Sequence, residues 1–246
     1  MLNLRLSKAF QKRKEPVDTL FLDVSGGQIP VRVRRHKRAK RMLLRLATDG
    51  SEVILTLPPR GSIRAGMDFA RRHTGWVEKA RRDFGEPIAF TDGATIPLRG
   101  EPHCIEAARE ARGAVRLTGN VLRVPGDPEG LSEKLTRYLK REARKDMTAT
   151  IEHLEREHGL KPTRISIRDT RSRWGSCSST GTVSFSWRLI LAPRNVLFYV
   201  VAHELAHLRE MNHGPKFWAL VAELDPNNEA AKRWLKTNGQ TLHRYG

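Results

Sequence analysis

Hydrophobic positions along this chain change their period about halfway. Over the first hundred residues they come in short alternating runs. Thr19–Val24 and Ile29–Arg34 flank Ser25-Gly26-Gly27-Gln28, which is hairpin chemistry. Met42–Leu46 and Val53–Leu57 lie on either side of Asp49-Gly50, and Pro58-Pro59 ends that pair because proline removes a ladder donor. Ser62 is an N-cap signal for a helix from Ile63 to about Phe84, with Met67, Phe69, Ala70, Trp76, Val77 and Ala80 as its apolar stripe. Short strands follow at Ile88–Phe90 with Thr95–Leu98, at His103–Ala107 and at Ala114–Val124, the last broken by Gly119-Asn120.

From Gly130 the spacing becomes helical. Leu131, Leu135, Tyr138, Leu139, Ala143, Met147, Ile151 and Leu154 recur three or four apart, and Gly159 closes the run. Arg164–Asp169 and Thr182–Trp187 alternate again around a turn at Trp174-Gly175-Ser176-Cys177. Pro193 opens a helix through Leu197, Val200, Val201, Leu205 and Leu208. Pro215 opens another with Phe217, Trp218, Leu220, Val221 and Leu224, and Ala230–Leu235 forms a last short one. Strands first, then helices around a small sheet, predict an α+β fold.

Composition narrows the class. A chain of 246 residues can bury a sizeable core, and two cysteines, Cys104 and Cys177, cannot make a disulfide framework. A reducing compartment, the cytoplasm, is expected. No apolar run approaches the roughly 20 residues a spanning helix needs. The basic start lacks the continuous apolar core of a secretory signal. The net charge is +18, yet it is concentrated: residues 1–45 hold 13 basic and 3 acidic side chains, and residues 161–200 hold 7 and 1. Such stretches favour anionic partners, a nucleic acid or a nucleotide, although charge alone names none.

The chemistry is carried by His203-Glu204-Leu205-Ala206-His207. Positions i and i+4 of a helix share one face, so both imidazoles can reach one metal ion, while Glu204 stands beside a water on that ion. Three residues fixed in this pattern arise by chance in roughly one chain in a hundred of this length. The bland alternative is two satisfied helix histidines and an exposed glutamate. A catalytic zinc also needs a third protein ligand and an open position. His213 sits six residues on, in Asn212-His213-Gly214-Pro215, where the helix must end before proline and the chain can turn back. Glu223 on the following helix is the other candidate, though it reads more naturally as a solvated acid. His36, His73, His103, His153 and His158 attract no metal role. His243 near the C-terminus is unassigned.

The stretch from His203 to His207, with Asn212-His213-Gly214-Pro215-Lys216-Phe217-Trp218 after it, resembles the YgjP-like metallopeptidase family, relatives of the SprT and Wss1-type zinc proteases. Arg173-Trp174-Gly175-Ser176-Cys177 and Arg188-Leu189-Ile190-Leu191-Ala192-Pro193 resemble that family's pattern too. The likeness is strongest over about 130–240. Where relatives carry asparagine before the Arg-Leu-Ile segment, this chain has Ser186-Trp187. Metzincins share the His207-to-His213 spacing but place glycine where this chain has Glu210. The resemblance implies Zn2+ held by His203, His207 and His213, catalysis by Glu204, and a peptide or protein substrate. It implies three parts: a basic segment over 1–17, a β-rich region with one helix over 18–125, and a zincin-like domain over 126–246. Tyr199, Arg173 and His243 are the candidate oxyanion donors. The strand Thr182–Trp187 is a candidate edge for an extended peptide, and Trp174, Trp187 and Trp218 are candidate cleft walls. A zinc hydrolase of nucleotides or phosphoanhydrides and a nucleic-acid-associated module with a vestigial site are the competing readings.

Overall fold

The turn at Ser25–Gly27 closes the first hairpin as expected, joining β1 (Leu20–Val24) to β2 (Gly27–Arg35) in antiparallel register. A computed structural model describes residues 20–47, 50–170 and 173–246. The basic segment 1–17 and the Asp49 turn residue lie outside the described residues. Strand β2 continues into a parallel pairing with β4 (Val53–Leu57), which also pairs with β3 (Leu43–Leu46), giving the order β1-β2-β4-β3. Leu22, Ile29, Val31, Leu44, Val53 and Leu55 bury one face of that sheet, and α1 (Ile63–Arg72) lies along it with Met67 and Ala70 buried.

The single helix expected over 63–84 is two. His73 ends α1, and α2 (Thr74–Phe84) starts at once. Trp76, placed in the apolar stripe by its spacing, is 45% exposed, because only Val77 and Phe84 of α2 are buried. The chain divides into two compact units within α2. One holds the described residues of Met1–Ala47 with Ser51–Glu78, the other those of Thr48–Gly50 with Lys79–Gly246. The second sheet belongs to the larger unit, whereas the expected division falls at 125/126.

That sheet has the order β5-β6-β8-β7, from β5 (Thr95–Leu98), β6 (Glu101–Ala108), β7 (Arg116–Thr118) and β8 (Val121–Pro125). Ile88 contributes an isolated bridge to Tyr245 in place of a strand. The 28-residue helix α3 (Leu131–His158) follows, and all eight apolar positions read from its spacing are buried. Gly159 stops it in the left-handed conformation, φ 67°.

The third sheet, β10-β11-β9, comprises β9 (Arg164–Arg168), β10 (Gly175–Cys177) and β11 (Thr182–Ser186). Trp174–Cys177, read as a turn, is therefore largely a strand, too short and too poor in large side chains to show a period. The candidate edge at Thr182–Trp187 is corrected. Strand β11 is paired on both sides, antiparallel to β10 and parallel to β9, so β10 and β9 are the edges. A 3-10 turn over Trp187–Leu191 leads to α4 (Arg194–Ala206), followed by α5 (Pro215–Leu224), α6 (Asn228–Asn238) and a 3-10 segment, Gly239–Arg244.

Arg99 fixes the approach to α4. Its backbone has φ 56°, strained for a side chain with a Cβ and costing about 1 kcal/mol. Its Nε donates to Asp146 Oδ2 at 2.7 Å, and its Nη2 donates to Asp146 Oδ1 at 2.8 Å and Glu142 Oε2 at 2.9 Å. Its backbone N–H donates to Ile190 O at 2.7 Å. One residue thus ties the β5–β6 hairpin to α3 and to the turn preceding α4. The hydrogen bond to Asp146 raises the guanidinium pKa further, against burial, so the charge is permanent.

Candidate metal centre

Helix α4 is apolar on nearly every side, and a helix of that kind is buried all round. Val196, Leu197, Val200, Val201, Ala202 and Leu205 pack into the core. The polar groups of its last turn, His203 and Glu204, are therefore held by packing on both sides. The helix ends after Ala206, with His207 as its C-cap. The chain turns through Leu208–Gly214 and re-enters a helix at Pro215, whose fixed φ suits the first helical position.

That turn brings His213 back onto the end of α4. His203, His207 and His213 each offer a ring nitrogen, and these atoms lie within 4.8 Å of one another. No other such cluster of histidine, cysteine or carboxylate groups occurs among the described residues. His213 Nε2 faces His203 Nε2 at 3.1 Å. Two nitrogens bound to one tetrahedral zinc would stand about 3.3 Å apart, given Zn–N bonds of about 2.0–2.1 Å. The Nδ1–H of His207 donates to Glu210 O at 3.1 Å, which fixes the tautomer and leaves Nε2 as the available donor. The backbone carbonyl of Glu210 thus orients a ring from the position where metzincins have glycine.

Burial sets the protonation of these groups. It lowers the pKa of His203 to about 4, with smaller contributions from His207, His213 and Lys232, and lowers that of His207 as well. Imidazoles held neutral are the form that binds a metal. Burial raises the Glu204 carboxyl to about 7, with the Arg173 charge opposing. Glu204 is 7% exposed and occupies space that Gly175 of β10 leaves open. A Cβ at Gly175 would stand 2.5 Å from Glu204 Cγ and 2.6 Å from its Oε1. Only glycine permits that approach.

Phe217 forms the floor. Its ring centroid lies 4.9 Å from that of His203, 4.5 Å from His207 and 4.6 Å from His213. Trp218 stacks on His213 at 5.8 Å, and Lys232 Nζ sits 4.4 Å over the other partner of that stack, the Trp218 ring. Spacing identified Phe217 only as a helix core residue, since its three partners come from other segments. Gly175 carried no signal beyond its place in the motif.

The remaining candidates fall as follows. Glu223 is exposed and contacts His158 Nδ1 at 3.3 Å, away from the three imidazoles' cluster. Tyr199 is buried, its ring centroid 5.9 Å from that of His203 with the two planes 61° apart. His243 is buried and stacks on Trp174 at 4.9 Å. Of the three tryptophans, Trp187 is core, while Trp174 and Trp218 are half-buried. Burial, then the Glu204 charge, raises the pKa of Cys177 and keeps it a thiol.

A curated protein, the ribosomal RNA large subunit methyltransferase H of Ruegeria sp. (strain TM1040), is 36% identical over 63 residues, or 26% of this chain. The chain spans 40% of that relative's length. The crystal structure of the metallopeptidase zymogen of Pyrococcus abyssi abylysin is 25% identical, with a TM-score of 0.35, covering 40% of this chain and 97% of that one. The YgjP-like, metallopeptidase domain family matches residues 40–238, which include the three histidines, Glu204 and Gly175. The chain belongs to the YgjP-like metallopeptidase family.

Proposed function

We propose that this metallopeptidase is a zinc enzyme in which His203, His207 and His213 hold the ion and Glu204 is the general base. The observation that carries the reading is the convergence of three imidazole donor atoms within 4.8 Å next to a buried carboxylate on the same helix. All three donors are nitrogen, which suits zinc and leaves a fourth position for chemistry. Bound there, zinc supplies Lewis acidity toward a carbonyl and lowers the pKa of water.

Glu204 does the proton work. Burial raises its carboxyl well above the usual carboxylate range, which favours taking up a proton. It takes a proton from the attacking water and returns it to the leaving amine. The packing of α4 and the absence of a Cβ at Gly175 hold its carboxylate in one place. Strand β10 ends the third sheet with one side paired to β11, and an extended peptide adds to the other side by backbone hydrogen bonds. The substrate is accordingly a peptide or unfolded protein.

The free cysteines Cys104 and Cys177 fit a reducing, cytoplasmic setting. Among the described residues no helix is long and apolar enough to cross a membrane.

The test assays one zinc-loaded preparation against an unfolded protein and against nucleoside triphosphates, with and without a chelator. Chelator-sensitive peptide cleavage supports the reading. Chelator-sensitive phosphate release without peptide cleavage replaces it with a nucleotide hydrolase. Neither activity, in a sample that holds one zinc per chain, points to a vestigial site.

A further inference from the structure

The peptidase reading leaves the smaller unit without a task, and that unit carries a dense positive charge. Its described residues hold 12 basic and 4 acidic side chains. We propose that the solvent-facing side of its sheet binds single-stranded nucleic acid. This inference is independent of the metal centre, and most of the face lies on β1 and β2, before the matched stretch 40–238.

The register defines the face. Arg32 of β2 and Arg45 of β3 both align with Ile54 of the central strand β4. Two strand spacings separate them by about 10 Å. Arg34 follows Arg32 on the same side, about 6.6 Å along β2, where its Nε donates to Thr56 Oγ1 at 2.8 Å. Phe21 of β1 aligns with Pro30 of β2, which alternation places on the same side as Arg32, and Phe21 is 47% exposed. The connection after Arg35 adds Lys37, Arg38, Lys40 and Arg41, all exposed, at one end of the sheet.

The unit's acids are occupied. Glu52 pairs with Arg32 at 2.6 Å and Asp68 with Arg71 at 2.8 Å. Asp23 accepts from Gln28 at 2.8 Å, and Glu78 accepts from Ser25 Oγ at 2.6 Å.

Arg34 and Arg45, with Arg32 shared with Glu52, stand beside an open aromatic ring and match a polyanion whose charges repeat and whose bases stack. A membrane surface fits less well. The exposed apolar side chains Phe21 and Leu43 are set among arginines, and they lie on a rigid sheet. Anionic bilayers favour an amphipathic helix with a continuous apolar face. Guanidinium groups also take the phosphate oxygens of an exposed backbone bidentately.

The experiment titrates the full chain with fluorescein-labelled 20-mers of dT and of U, a duplex of the same length, and vesicles containing anionic lipid. Single strands are expected to bind with log K falling about 2 to 3.5 per decade of salt, as three to five phosphate contacts give. Phe21→Ala should weaken single-strand binding roughly 5- to 150-fold, the range for one stacked base, and Phe21→Trp should restore it. Replacing Lys37, Arg38, Lys40 and Arg41 with Gln, all on an exposed connection, should flatten the salt slope. Peptide hydrolysis should be unchanged in each variant. The proposal is overturned if single strands fail to bind at low salt, if Phe21→Ala leaves their affinity intact, if the duplex binds as tightly, or if vesicles are preferred.

Discussion

The two units carry nearly equal net charge in opposite ways. Among the described residues the smaller unit holds 12 basic and 4 acidic side chains, whereas the larger, three times its length, holds 27 and 20. In the smaller unit Arg32, Arg34 and Arg45 are exposed on one sheet face. In the larger unit the informative charges are partly buried: Arg99 between Glu142 and Asp146, and Glu204 beneath β10. Charge in water steers and attracts, while charge removed from water positions groups and shifts their pKa. The sequence total of +18 says nothing about this difference, because burial decides it.

The sharpest way to break the contrast is to remove one proposed ligand. His213→Ala should abolish both zinc retention and hydrolysis, while Glu223→Ala should leave both near the parent level, as read by metal analysis and peptide turnover. Loss of zinc in the Glu223 variant alone would reverse the third-ligand assignment. Next comes the contact between β10 and Glu204. Gly175→Val should retain zinc yet lose about 100-fold in turnover, since a displacement of about 1 Å has that consequence. Unaltered turnover would mean that Glu204 does not need its seat.

Phe217→Ala removes the floor shared by the three rings and should destabilise the apo-protein by about 3–5 kcal/mol in denaturant titration. Phe21→Ala, on the open face of the smaller unit, should change stability by under about 0.5 kcal/mol. Similar values for the two would erase the distinction between the regions. A further small effect concerns Asp169, which Arg188 Nε contacts at 3.0 Å. Burial alone would raise the Asp169 pKa, but the Arg188 hydrogen bond and charge outweigh it and hold it below the usual 3.8. A depressed carboxylate contributes stability above that usual value and loses it as pH falls further. Asp169→Asn should therefore flatten the acid limb of the stability profile, by less than about 1 kcal/mol because the pair is partly exposed.

How much was legible depended on whether the relevant partners were close in sequence. The eight-residue stripe of α3 and the His203–His207 pair are periodic signals within one helix, and both appear where the period puts them. His213 was legible because Asn212, Gly214 and Pro215 mark a turn that must fold back. Gly175 and Arg99 act through residues tens of positions away, and Phe217 through rings that a turn folds back over it, so nothing periodic announces them. Two of the errors in local reading come from partners and breaks that the spacing does not show. Trp174–Cys177 is a strand only because β11 pairs with it, and Trp76 is exposed because α1 ends at His73 and the helical phase restarts.

The measurement closest to the central claim is zinc content and peptide turnover on one preparation of Glu204→Gln. The side chain keeps its shape and fills the same seat beside Gly175, but it cannot accept a proton. One zinc per chain with turnover reduced about 10²–10⁴-fold is the predicted result, the range for a lost general base. Full turnover with zinc in place would contradict the assignment of Glu204 as the base.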